Sequence, residues 1–167
     1  MPGNFGIDVR METGTGKTYC YTRLMYELNK RYGFHKFVIL VPTTPIKEGT
    51  KSFIESDYAK AHFADLYPDK RINLSVLNVQ SKRKGRKMFP QAISDFARGT
   101  RLEKGRISTL LMSSGMLLSK ATMDNEYGQT LFGTFSNPYD TLKSTRPIVI
   151  IDEPHKFKRE NTARSEE

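Results

Sequence analysis

The sequence predicts an α/β fold, a mostly parallel central sheet flanked by helices, and two observations lead to it. Short apolar runs alternate with longer amphipathic stretches, the pattern of strands joined by crossover helices. A glycine-rich string follows the first run and an acidic pair follows the last, at the strand ends where open parallel sheets gather ligand-binding groups. With 167 residues, 37% of them hydrophobic, one domain with a substantial core is expected.

Taken in order, strands are expected over residues 7–10, 37–41, 72–79, 107–112 and 148–151. Cys20, Leu24, Leu28 and Tyr32 recur every four residues, which gives residues 17–32 one apolar helical stripe that Gly33 ends. Cys20 stands alone, so no internal disulfide forms, and its place on that stripe predicts a small buried side chain. Pro45 opens a second helix. Gly49 weakens its first turns, and the helical pattern continues through Phe53, residues 57–63 and Tyr67 up to Pro68. A third helix is expected over residues 91–98. Residues 124–146 show no period and are rich in Gly, Asn, Ser, Thr and Pro, as in a long loop with one short helix. The run Ile148-Val149-Ile150-Ile151 is apolar throughout, which predicts a central strand covered on both faces. These elements make one domain over residues 1–155, and residues 156–167 read as a polar, flexible tail.

Composition narrows the function classes. No apolar run is long enough to cross a bilayer, and the first six residues lack both the charged start and the apolar stretch of a secretory signal, so a cytoplasmic location is expected. The net charge is +9, and a basic surface attracts polyanions. Between Gln80 and Arg106 stand Lys82, Arg83, Lys84, Arg86, Lys87, Arg98, Arg101, Lys104 and Arg106 against only Asp95 and Glu103, a local charge of +7. Such a run serves either as a solvated loop or as a phosphate-binding surface.

Two strings carry chemistry. Met11-Glu12-Thr13-Gly14-Thr15-Gly16-Lys17-Thr18 lies between an expected strand and an expected helix, the setting in which a glycine-rich loop cradles phosphate. Gly14 and Gly16 let successive N–H groups, with those of Thr13 and Thr15, turn toward phosphate oxygens. Lys17 would reach the β- and γ-phosphates of ATP, and the Thr18 hydroxyl would bind Mg²⁺. Met11 occupies a position that is glycine in many such loops. Asp152-Glu153 supplies the two acids a nucleotide hydrolase needs, Asp152 on Mg²⁺ and Glu153 beside the attacking water. His155 could relay the state of that site to a nucleic-acid-binding surface. His35 and His62 lie far off in sequence and, with one cysteine, give no zinc cluster.

Residues 11–18, the stretch Val41-Pro42-Thr43-Thr44-Pro45-Ile46-Lys47-Glu48-Gly49, and Asp152-Glu153-Pro154-His155 together resemble the motor (Res) subunit of type III restriction enzymes, a branch of helicase superfamily 2. The resemblance spans nearly the whole chain. It implies a RecA-like P-loop NTPase domain, ATP hydrolysis with Mg²⁺, double-stranded DNA as the track, and a methyltransferase (Mod) partner. It also implies Thr43, Thr44 and Lys47 as DNA-backbone contacts, a weaker contact at Ser113-Ser114-Gly115-Met116, and DNA or partner contact at Lys82, Arg83 and Lys84. A second RecA-like domain and a nuclease, which the family carries further along its chain, are expected to be missing here. Little or no turnover by this piece alone follows, and a non-catalytic module that binds nucleotide, DNA or the methyltransferase is the alternative.

Overall fold

The computed structural model describes residues 6–78, 88–100, 102–127 and 137–157. Its order is α1 (Lys17–Tyr32), β1 (Lys36–Val41), α2 (Thr44–Glu55), α3 (Asp57–Leu66), β2 (Arg71–Val76), α4 (Gln91–Arg98), β3 (Arg106–Ser113), α5 (Ser114–Leu117), α6 (Lys120–Met123), α7 (Pro138–Ser144) and β4 (Ile148–Ile151), followed by a 3₁₀ turn, Pro154–Lys156. The four strands form one sheet in the order β2-β3-β1-β4, and every pairing is parallel. An α/β fold with a parallel sheet flanked by helices, consistent with a RecA-like domain, is therefore the architecture.

Side-chain alternation along the strands sorts the core into two layers. On one face Phe37, Ile39, Val41, Ile107 and Leu111 pack with Met25 and Tyr26 of α1, Ile54 of α2 and Phe63 of α3. On the other, Val38, Leu40, Leu110 and Met112 meet Ile93 and Phe96 of α4, Met116 and Leu117 of α5, Met123 of α6 and Leu142 of α7. Each such side chain contributes roughly 1.5–3 kcal/mol on burial. The short helix expected within residues 124–146 is α7, whose Leu142 packs on this second layer; residues 128–136 lie outside the described residues.

Helix α1 has the expected bounds, and Gly33 ends it with φ +73° and an N–H bond to Asn29 O. Its buried face differs from the expected one. Thr22, Met25 and Tyr26 point inward, while Leu24 and Tyr32 are 45% and 64% exposed and Cys20 is exposed too. The aromatic stack decides the rotation. Tyr26 lies 4.9 Å from both the Phe63 and the Tyr67 ring, and large flat rings gain more on burial than Cys20 and Leu24 would.

The helical pattern after Pro45 is two helices. Ser56 breaks it, leaving the helical backbone to cap α3 by accepting from Ala59 N at 3.1 Å, as serine does at an N-cap. Among the described residues β4 is an edge strand rather than a central one, pairing only with β1. Ile148 and Ile150 pack on the first layer and Ile151 on the second, but none of the four is fully buried and Val149 is 38% exposed. Residues 7–10 form no strand. Ile7 and Val9 are exposed, and a four-residue run without a ladder partner has nothing to hold it extended. Strand β2 stops at Val76, although Leu77 N still donates to Leu111 O of β3 at 2.9 Å; residue 79 of the expected strand lies outside the described residues. Lys156 and Phe157 belong to the folded body, with Phe157 packed on the second layer; residues 158–167 of the expected tail lie outside the described residues. Among the described residues no helix is long and apolar enough to cross a membrane.

Candidate functional site

Parallel pairing puts the C-terminal ends of all four strands at one end of the sheet. Pro42 to Thr44 follow β1 there, Ser114 follows β3, and Asp152 follows β4, its N–H still bonded to Leu40 O at 2.9 Å. The loop before α1 comes to the same end: Lys17 Nζ lies 3.5 Å from Glu153 Oε1 across 136 positions of sequence.

The loop is built by its glycines and one threonine. Gly14 has φ +81° and Gly16 φ +84°, conformations that cost a side chain energy. Around both, the space a Cβ would fill is empty, so backbone conformation rather than crowding requires glycine. The Thr15 hydroxyl donates to Glu12 O at 2.6 Å and closes the turn, while Thr13 and Thr15 stay exposed. Helix α1 then starts at Lys17 with no acid of its own in the first turn, so the positive end of its dipole is open to negative groups from outside the helix.

Asp152, Glu153 and Tyr21 extend this arrangement. Asp152 is 8% exposed; burial raises its pKa above the usual carboxylate value, and the charge of Lys17 opposes the rise. Glu153 takes a left-handed backbone, φ +51°, and its carboxylate pairs with both Lys17 and Lys156. The close Lys156 ammonium is the main cause that lowers its pKa. Tyr21 closes the group from α1. Its hydroxyl meets Thr50 Oγ1 at 3.1 Å, and burial raises its pKa against the hydroxyls of Thr18 and Thr50, with Asp152 near enough to add to the rise.

The remaining expected residues divide. His155 is exposed in the 3₁₀ turn. Thr43 and Thr44 are exposed at the start of α2, and Thr43 makes no side-chain cap bond. Lys47 does not match its expectation as a backbone contact: it is 4% exposed, and its ammonium donates to Asn78 Oδ1 at 2.7 Å and Leu77 O at 3.3 Å. One turn into α2, its side chain runs under the helix toward the end of β2 instead of out to solvent. Lys82, Arg83 and Lys84 lie outside the described residues. Tyr21, Thr50 and Lys156 escaped the sequence reading, although Lys156, three residues after Glu153, carried a spacing signal.

A magnesium ion at this site would rest on few protein ligands. No cluster of three His, Cys, Asp or Glu side chains exists among the described residues, and Mg²⁺ characteristically takes one or two protein oxygens, with phosphates and water completing its shell. Thr18 and Asp152 offer that much.

Comparison with known proteins identifies the family. The family model described as "Type III restriction enzyme, res subunit" matches residues 3–166. The chain is 49% identical over 157 residues to the type III restriction-modification enzyme StyLTI Res subunit of Salmonella typhimurium, covering 93% of this chain. It is 43% identical to the EcoP15I Res subunit of Escherichia coli and to the EcoPI Res subunit of Escherichia phage P1, each over 90% of this chain. The matched stretch makes up 16% of each of these relatives.

Proposed function

The chain belongs to the type III restriction enzyme Res-subunit family, and from that premise we propose that it is an ATP-binding, helicase-like motor domain that works on double-stranded DNA. The observation that carries the proposal is the 3.5 Å approach of Lys17 to Glu153, which joins the glycine-rich loop to the acidic strand end as one site. In this reading the backbone of Thr13, Gly14, Thr15 and Gly16 binds the phosphates, Lys17 neutralises their charge, and Thr18 and Asp152 hold Mg²⁺. Bound magnesium would draw charge off the terminal phosphates and so ease hydrolysis. Glu153, which its lysine partners keep ionised, accepts the proton of the attacking water. Burial makes Asp152 costly to ionise alone, and a divalent cation repays that cost.

Exposed Thr43 and Thr44, with Lys82, Arg83 and Lys84, are the proposed DNA contacts, and His155 the link from the nucleotide site toward DNA. Translocation, cleavage of foreign DNA and pairing with a methyltransferase subunit are proposed for the longer protein in which such a domain works, in the cytoplasm. The test is to join this chain to the second motor domain of a relative and measure ATP hydrolysis with and without duplex DNA. DNA-stimulated hydrolysis that Lys17→Ala abolishes is the expected result; equal rates for the two proteins would remove the proposal.

A further inference from the structure

Glu153 faces two ammonium groups, and only one of them belongs to the glycine-rich loop. We propose that Lys156 is a positioning residue, which holds the Glu153 carboxylate and thereby leaves Lys17 free to engage a nucleotide phosphate; this rests on the reading of residues 11–18 as a nucleotide site.

The local sequence builds the contact. Glu153 caps the turn in a left-handed conformation, Pro154 fixes the first turn residue, and Lys156 N donates to Glu153 O at 2.9 Å. Residues three apart eclipse in a 3₁₀ turn, so Glu-Pro-His-Lys returns the Lys156 side chain over the Glu153 carboxylate. The carboxylate is 11% exposed and gives one oxygen to each lysine, Oε2 to Lys156 and Oε1 to Lys17. These contacts are unequal. Lys156 makes the closer one, while Lys17 stands at 3.5 Å, beyond a normal charge-assisted bond.

That inequality has a consequence for binding. Remove Lys156, and among the described residues a nearly buried carboxylate keeps a single counter-ion, Lys17, and draws it in. A triphosphate must then break a tighter ion pair to recruit the same ammonium. A simpler alternative is that Lys156, 49% exposed, adds only attractive positive charge. The two differ in whether Glu153 is required.

Titration of Mg²⁺-ATP into this chain, followed by calorimetry, separates them through a double-mutant cycle. Lys156→Met is expected to weaken binding about fivefold, and Lys156→Arg to restore it to within about twofold. In a Glu153→Gln background Lys156→Met is expected to change the affinity less than about twofold. An equal loss in both backgrounds, or no loss in either, would overturn the proposal while leaving the nucleotide site in place. A wild-type chain that binds no ATP would end both. Thermal unfolding of each variant checks that the fold is intact.

Discussion

The ammonium of Lys47 sits 2.7 Å from Asn78 Oδ1, and this bond ties helix α2 to the chain leaving β2. Lys47 is buried and pairs with neutral acceptors, so its removal strands two polar groups and opens a gap. Lys47→Ala should cost roughly 2–3 kcal/mol, measured as a lower urea midpoint with an unchanged m-value. Thr43→Ala, at an exposed position without a cap bond, should stay within about 0.5 kcal/mol. Equal midpoints for the two variants would contradict the brace.

The Tyr67 hydroxyl donates to Glu27 Oε1 at 2.5 Å, and that bond is the main reason the Glu27 pKa is lowered, with Arg31 adding to it. A carboxylate with a depressed folded-state pKa stabilises the fold above its unfolded value, about 4.3. The contribution is lost as pH falls through the folded-state value. Tyr67→Phe should therefore lose less stability than wild type between about pH 5 and pH 3. Parallel stability curves for the two proteins over that range would contradict the linkage.

Lys36 closes helix α4 from outside. Its Nζ donates to Ala97 O at 2.7 Å and Phe96 O at 3.1 Å, where a cation complements the helix dipole, and burial lowers its pKa. Lys36→Met keeps the apolar stem, loses both bonds and removes the cost of burying charge. The opposing changes leave a net loss of about 1 kcal/mol, a fall in Tm of roughly 2–4 °C. An unchanged or higher Tm would show that desolvation outweighs the bonds.

Cys20 is exposed. A disulfide-exchange dye should label the native chain once, at a rate close to that of the urea-unfolded chain, and Cys20→Ser should change stability by less than about 0.5 kcal/mol. Labelling that requires unfolding would restore the buried position expected from the helical stripe.

Local chemistry explains what could be read in advance. The bounds of α1 were legible because Gly33 is a terminator whose effect needs no tertiary context, and the meeting of the loop with the acidic pair because groups beyond the C-terminal ends of parallel strands gather at one end of the sheet. The face α1 buries was not legible, since a four-residue stripe of Cys20, Leu24, Leu28 and Tyr32 competes with an aromatic stack assembled from α1 and α3. Nor was the edge position of β4 among the described residues. An apolar run predicts cover on both faces and says nothing about its lateral neighbours. Lys47 illustrates the same limit at a single residue, because a lysine beside a strand end reads as a surface cation until its depth is known.

The central claim, that residues 11–18 and Asp152-Glu153 form one magnesium-nucleotide site, is tested most directly by calorimetric titration of Mg²⁺-ATP into wild type, Lys17→Ala and Asp152→Asn. The account predicts one bound nucleotide per wild-type chain and at least about tenfold weaker binding for each variant, about 1.4 kcal/mol. Wild-type affinity in Asp152→Asn, with the Mg²⁺ dependence intact, would contradict it.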